Sequence, residues 1–167
     1  MTAPLEILQS YFSRGVVVDS NLLLLLFVGS FDRRQIDRNP RLEGFNQDDF
    51  ELLVKLLDRF KLLVTTPHVL AEVSNLSSAI PEPRRRSYFE SFAARVAVME
   101  EKHVECSTAL QSRWARFGLT DAAIAVIATN NYLVLTEDFR LSQALQSEGI
   151  DTLNFNHLRQ AYWQMWN

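Results

Sequence analysis

The apolar residues of this chain alternate between short β-branched runs and longer segments with helical periodicity. A short run of valine and leucine without a polar face is typical of a parallel strand that is buried on both sides. Apolar residues three and four positions apart indicate instead an amphipathic helix. The predicted strands are residues 16–18, 62–66, 103–106 (the weakest), 132–136 and 150–153. Strands that alternate with helices predict a parallel sheet covered on both faces.

Helices are predicted between the strands. Thr66 followed by Pro67 is a favourable helix start, with Thr66 as the N-cap. We expect a three-layer α/β/α sandwich with a central parallel sheet. The whole chain, residues 1–167, forms one domain with an N-terminal helical extension (1–14) and a polar excursion from the core (31–48). The predicted helices are residues 4–13, one that opens at 22–27, 48–60, 67–80, 85–101, 120–128, 137–147 and one from 158 onward.

The composition is that of an ordinary globular domain, since 47% of the 167 residues are hydrophobic. The longest uncharged apolar run, residues 22–29, is far shorter than the roughly 20 residues that span a bilayer. The first residues lack the pattern of a signal peptide. Cys106, the single cysteine, has no partner for an intramolecular disulfide and is expected to be a small buried side chain. We therefore expect a cytoplasmic protein with no membrane partner.

Four acidic residues stand where predicted strands have just ended or where helices begin. Asp19 ends the first strand inside an apolar run, and Asp138 follows the fourth strand by two residues. Glu72 lies in the helix after the second strand, and Asp121 lies in the first turn of an apolar helix. The carboxyl ends of parallel strands share one edge of the sheet, where ligands bind. We expect the four carboxylates to meet at this edge.

Such a cluster predicts a divalent metal ion. Carboxylates that converge within a few ångströms repel one another, and they cannot all stay ionised near neutral pH without a compensating charge. Mg²⁺ and Mn²⁺ prefer oxygen ligands, and such an ion polarises a phosphodiester and lowers the pKa of a bound water. The chain has no set of cysteines and histidines with the spacing of a zinc site.

The four acids and their surroundings resemble the PIN-domain ribonucleases, a family that includes the VapC-like toxins. The matching segments are VVVDSNLLL, TPHVLAEV, LTDAAIAVIA and YLVLTEDFRL, in the order of the family and spread over residues 16–141. The resemblance implies a PIN-like fold and a Mg²⁺- or Mn²⁺-dependent endoribonuclease that hydrolyses RNA phosphodiester bonds. It also implies a homodimer and, often, a toxin that is held by a small antitoxin protein.

The resemblance also assigns roles to individual residues, which fall into two groups. The metal ligands, which are also the catalytic residues, are Asp19, Glu72, Asp121 and Asp138. The supporting polar residues are Ser20, Asn21, Thr120 and Thr136. The competing prediction is a PIN-like domain that binds RNA or a protein partner and does not cleave.

Alternatives stay open for several residues. Asp19 and Asp121 are also suited to capping a helix, and Glu137 competes with Asp138 as the fourth acid. His68, the histidine nearest to the predicted site, is expected to cap or to pack. One basic turn is a candidate for contacts with RNA phosphates, with a solvated turn or an antitoxin contact as the alternative: Arg84, Arg85 and Arg86.

Overall fold

The structure, a computed structural model, describes the backbone of residues 4–166 and the side chains of residues 6–162. Its strands are β1 Val16–Val18, β2 Leu63–Thr65, β3 Glu100–Glu101, β4 Leu133–Thr136 and β5 Thr152–Asn154. All their pairings are parallel, and they form one sheet in the order β3-β2-β1-β4-β5. With helices packed around this sheet, the predicted α/β/α sandwich is confirmed.

The helices alternate with the strands, as the sequence pattern predicts. The α-helices are α1 Pro4–Tyr11, α2 Ser20–Phe31, α3 Gln47–Leu57, α4 Pro67–Leu76, α5 Glu82–Val96, α6 Cys106–Gln111, α7 Leu119–Ala128, α8 Phe139–Ser147 and α9 Phe155–Trp166. Short 3-10 helices lie at Arg33–Gln35, Pro40–Leu42, Ser77–Ala79 and Arg113–Phe117. The central helix α2 contacts α3, α4 and α5, while α4 also contacts α7.

The unit formed by β1 and α2 is the centre of the core. Every residue of β1 is buried, and so is every residue of α2 from Leu22 to Gly29. Gly29 lets α3 approach closely, because a Cβ atom at this position would lie 2.3 Å from the ring of Phe50. Such a tightly packed unit holds the residue between its two elements, Asp19, in a fixed place.

The third strand is not where the sequence pattern placed it. The prediction of a helix over residues 85–101 and a strand at 103–106 is wrong, because α5 ends at Val96 and β3 is Glu100–Glu101. As an edge strand of two residues that pairs with β2 alone, β3 is too short to show an alternating pattern. Val104, which is buried outside any strand, supplied the misleading apolar signal.

Cys106 is also placed differently from the prediction. It is exposed rather than buried, because it begins the surface helix α6 instead of ending a strand. Its Sγ lies 3.3 Å from Nε2 of His68, in the first turn of α4. His68, in the first turn of α4, thus contacts the first residue of α6.

Residues 31–48 are tied to the core more closely than an excursion would be. Ile36 and Leu42 are each only 1% exposed, and the segment contains two of the 3-10 helices. Of the predicted N-terminal extension, α1 is a helix, and residues 1–3 lie outside the described part of the chain. Among residues 4–166, no helix has the length and apolar character needed to cross a membrane.

The strand order creates a topological switch point between β1 and β4. On one side of β1 lie β2 and then β3, and on its other side lie β4 and then β5. The connections from these two central strands therefore lead away in opposite directions. The crevice outside the carboxyl ends at such a point is where open parallel sheets bind ligands. Asp19 directly follows β1, and Glu137 directly follows β4.

Candidate functional site

A cavity of about 310 Å³ lies at the carboxyl ends of β1 and β4. Its lining contains five acidic side chains and three neutral polar ones from four separate parts of the chain, and none of these described residues is cationic. We call it the carboxylate cavity; it is lined by Asp19, Ser20, Asn21, Glu72, Asp121, Thr136, Glu137 and Asp138. All four acids that were predicted as metal ligands lie around this one space.

Asp19 is fixed by hydrogen bonds to both of its carboxylate oxygens. It caps α2, with Oδ1 accepting the backbone N–H of Leu22 at 2.9 Å. Its Oδ2 accepts the backbone N–H of Glu137 at 2.9 Å and the hydroxyl of Thr136. Asp19 is therefore a helix cap and a cavity residue at once, and it joins the end of β1 to the loop after β4.

Thr136 organises the loop that follows β4. Its fully buried hydroxyl donates to Asp19 and accepts the backbone N–H of Asp138 at 3.0 Å. Asp138 caps α8, with Oδ1 accepting the backbone N–H of Leu141 at 2.9 Å. The other oxygen of Asp138, Oδ2, accepts no hydrogen bond from the described residues. Glu137 is in the same situation, because its Oε1 accepts a hydrogen bond from Asn21 at 2.9 Å and its Oε2 accepts none from the described residues.

Two asparagines that the sequence analysis missed hold the same loop from the other side. Asn154, at the end of β5, and Asn156, in α9, donate to the backbone carbonyl of Glu137 at 3.3 and 3.2 Å. Asn154 also accepts the backbone N–H of Asn156 at 3.0 Å. A hydrogen bond from a side chain to a distant backbone carbonyl leaves no periodic pattern in the sequence. The only signal for this contact was an asparagine that follows the last predicted strand.

Glu72 enters the cavity from the second turn of α4. Its carboxylate is half-buried and accepts a hydrogen bond from the hydroxyl of Ser20 at 3.1 Å. Because Ser20 directly follows Asp19, this contact places acids from two distant segments side by side. Ser20 and Asn21, two of the predicted supporting residues, therefore each donate a hydrogen bond to an acid of the cavity.

The carboxylates of the cavity interact unfavourably with one another. Burial, together with the neighbouring charges of Asp19, Glu72 and Asp138, raises the pKa of Asp121 to about 7. Burial also raises the pKa of Asp19 to about 6, although hydrogen bonds from Thr136, Leu22 and Glu137 favour its charged form. Asp121 accepts no hydrogen bond from any described residue. The arrangement lacks positive charge at neutral pH.

The donor set fits a hydrated divalent cation. Among the described residues, no three histidine, cysteine, aspartate or glutamate side chains already form a compact metal site. Carboxylates without a compensating cation are expected to stand apart, because they repel one another. The cavity of about 310 Å³ holds roughly ten water molecules. It therefore has room for an ion that keeps part of its water shell and takes only one or two direct carboxylate ligands, as Mg²⁺ does.

Some predicted residues lie outside the carboxylate cavity. Thr120 is in the first turn of α7 beside Asp121, but it does not line the cavity. The basic turn lies at the start of α5 and is also outside it. Each of its arginines forms an ion pair with an acid: Arg84 with Asp32, Arg85 with Glu82, and Arg86 with Glu90.

Comparison with known proteins adds nothing to these residues. No protein-family model matches the chain, and no curated protein sequence matches it either.

Proposed function

We propose that this chain is a Mg²⁺- or Mn²⁺-dependent endoribonuclease of the PIN-domain type. The observation that carries the proposal is the convergence of Asp19, Glu72, Asp121 and Asp138 around a cavity without a cation, at the switch point of a parallel sheet. This convergence disfavours the folded state, as the raised pKa of Asp121 indicates. A bound cation would offset the repulsion between the carboxylates, which explains why the fold brings them together.

In this proposal the four acids would surround the hydrated ion, with one or two of them as direct ligands, and neighbouring residues would orient these acids. When bound, the ion supplies the positive charge that polarises a phosphodiester and lowers the pKa of the attacking water. Ser20 orients Glu72, and the hydroxyl of Thr136 fixes Asp19 and the start of the α8 cap. The products, by resemblance to the family, carry a 5′-phosphate and a 3′-hydroxyl. No general base beyond the carboxylates is required.

The test is cleavage of a mixed RNA pool by the purified protein with Mg²⁺, with Mn²⁺ and with EDTA. The most informative variant is Asp121→Asn, because Asp121 accepts no hydrogen bond from the described residues and its loss leaves the local structure intact. Asp19→Asn is less clean, since both oxygens of Asp19 hold backbone or hydroxyl groups. We expect cleavage that requires a metal ion and falls at least about 100-fold in Asp121→Asn.

The matched control is Asp58→Asn, the same chemical change at an exposed position at the end of α3. It is expected to cleave like the wild type. Equal cleavage by the wild type and Asp121→Asn would indicate a contaminating nuclease and contradict the proposal. Metal-independent RNA binding without cleavage would instead support the competing prediction of a non-catalytic PIN-like module.

The toxin role, the antitoxin partner and the homodimer rest on the resemblance alone and stay predictions. An antitoxin is usually encoded beside its toxin, so the neighbouring reading frames test that partner directly. The oligomeric state is measurable by light scattering during gel filtration.

A further inference from the structure

A larger cavity of about 830 Å³ lies between α8 and the 3-10 helix Arg113–Phe117. Two arginines line it, and its lining contains no acid. Its charge is thus opposite to that of the carboxylate cavity. We call it the arginine groove; it is lined by Arg116, Phe117, Arg140, Gln143, Ala144, Gln146 and Ser147.

Both walls of the arginine groove are followed or preceded along the chain, within four residues, by an acid that lines the carboxylate cavity. On one side, α8 is capped by Asp138, two residues before Arg140. On the other side, the 3-10 helix ends at Phe117 and is followed by α7, whose first turn carries Asp121. The 3-10 helix and α7 also contact each other. A chain that lay in the groove would therefore reach Asp121 and Asp138 at one end.

The cations of the groove are available to a ligand. Arg116 and Arg140 are exposed, and neither forms an ion pair within the described residues. The guanidinium of Arg116 lies 4.9 Å from the ring centroid of Phe117, so a flat cationic group and an aromatic ring stand together. Such pairs are surfaces on which nucleobases stack. At the distal end, Arg113 pairs with Glu148 and joins the two walls.

We propose that the arginine groove binds the phosphate backbone of single-stranded RNA and leads it into the carboxylate cavity. This inference rests on the proposed nuclease function, because it names the surface that brings the substrate to that site. From Arg140 to Ser147 the groove follows α8 for roughly 10 Å. A stacked strand places about three phosphates over that length. Two free arginines neutralise two of these three charges, and they offset part of the repulsion between RNA and the acids nearby.

The basic turn at the start of α5 fits this task less well. Arg84 pairs with Asp32 at 2.8 Å, and Arg86 pairs with Glu90 at 3.3 Å. Neither residue lines either of the two cavities. A guanidinium that is already paired must give up its partner to bind phosphate, whereas Arg116 and Arg140 need not. The free arginines are therefore the better phosphate ligands.

The experiment measures binding without cleavage, in EDTA, so that it does not depend on catalysis. The probe is a fluorescein-labelled 12-nucleotide single-stranded RNA of mixed sequence, titrated by anisotropy at several salt concentrations. The variants are Arg116→Gln/Arg140→Gln and the charge-preserving Arg116→Lys/Arg140→Lys. The matched control, Arg59→Gln/Arg95→Gln, makes the same change at two exposed arginines of other segments. Thermal unfolding checks that each variant is folded.

We expect the glutamine pair to weaken binding at least about tenfold at low salt. The slope of log K against log salt should become shallower by about 1.4, which corresponds to two phosphate contacts on a single strand. The lysine pair should keep most of the slope, and the control pair should bind like the wild type. An unchanged affinity in the glutamine pair, or no RNA binding by the wild type, would overturn the proposal. So would equally tight binding of a polyglutamate peptide.

The two proposals fail in different ways. RNA binding that depends on Arg116 and Arg140, in a protein that cleaves with neither metal ion, would leave the groove standing and remove the nuclease. Cleavage that is lost in Asp121→Asn, together with binding that is insensitive to the arginines, would leave the nuclease and remove the groove.

Discussion

Two buried regions of this protein contain acidic side chains at helix starts, but only one of the two regions supplies a cationic partner for its acid. In the junction of α3 and α9, Asp49 is 1% exposed and belongs to the capping box of α3. Arg159 donates to both of its oxygens, at 2.7 and 2.9 Å. In the carboxylate cavity, Asp19 is 7% exposed and caps α2, but no cation lines the space around it.

The difference shows which acids serve the fold and which serve another purpose. A buried carboxylate that only has to cap a helix receives a partner: Arg159 reaches Asp49 across the chain, and Arg34 and Arg84 hold the pKa of Asp32 below its usual range. The acids of the carboxylate cavity are gathered without such a partner, and the pKa values of Asp19 and Asp121 are raised. The protein thus neutralises its structural acids internally, whereas the function we propose assigns the neutralisation of the cavity acids to an external cation.

The largest effect that we expect from a single substitution on stability is on the structural side of this comparison. Arg159→Ala should leave Asp49 buried without a cation and lower the free energy of unfolding by about 3 kcal/mol, measured by urea denaturation. The guanidinium also donates to the exposed carbonyl of Gly44 at 2.9 Å, so an acceptor outside the ion pair loses its donor as well. The double variant Asp49→Asn/Arg159→Leu removes both charges and should recover most of the loss. A cost below about 1 kcal/mol for Arg159→Ala would show that the pair is not what stabilises this junction.

The second prediction concerns pH and the functional side. The folded protein holds protons on Asp19 and Asp121 up to pH values of about 6 and 7, whereas the unfolded chain releases them near pH 4. Folding therefore takes up protons between these values, and stability falls as the pH rises from 4 to 8 in EDTA. The two-unit shift of Asp19 alone corresponds to about 3 kcal/mol. Urea midpoints across this range measure the fall.

Asp121→Asn sharpens this pH dependence. It removes one titrating group and one like charge, so its stability should fall less steeply between pH 5 and 8 than that of the wild type. Asp58→Asn, at an exposed site, should follow the wild type. A wild-type stability that rises through this range would mean that the cavity acids are ionised without cost in the folded protein.

The sequence predicted the cavity acids well because each of them interrupts or ends an apolar run. Asp19 stands between a buried strand and a buried helix, and Thr136 and Asp138 close another strand, so strand order alone brings them together. Contacts between distant side chains had no such marker. Asp49 and Arg159 are 110 positions apart, and nothing in the local pattern of either residue indicates the other.

The same limit explains the error at the third strand and the burial of side chains in residues 31–48, which the local pattern did not indicate. The edge strand Glu100–Glu101 consists of two charged residues and forms only because β2 offers a free edge, which is a tertiary cause. The segment 31–48 looks polar because its charged residues outnumber Ile36 and Leu42, although these two side chains anchor it to the core. In both cases a few long-range contacts override a local average.

The third prediction concerns the stabilisation of the fold by the proposed metal ion. At pH 7.5, Mn²⁺ at ten times its dissociation constant should stabilise the wild type by about 1.4 kcal/mol, because the ion binds the folded protein and has little affinity for the unfolded chain. Asp121→Asn should gain much less, and Asp58→Asn should gain as much as the wild type. Thermal unfolding with and without Mn²⁺ measures this difference. Equal stabilisation of Asp121→Asn would place the ion somewhere other than the carboxylate cavity.

The smallest effect is expected where an ion pair is exposed. Arg86 and Glu90 lie one turn apart on α5, 3.3 Å from each other, with side chains that are 92% and 67% exposed. Water and salt screen such a pair, and holding two long side chains in one geometry costs entropy. Arg86→Ala should therefore leave the urea midpoint of unfolding unchanged within error, in contrast with Arg159→Ala. A large loss of stability in Arg86→Ala would mean that guanidinium contacts stabilise this fold whether they are buried or exposed. An acid with a cationic partner could then no longer be distinguished, by its burial, as one that serves the fold rather than the carboxylate cavity.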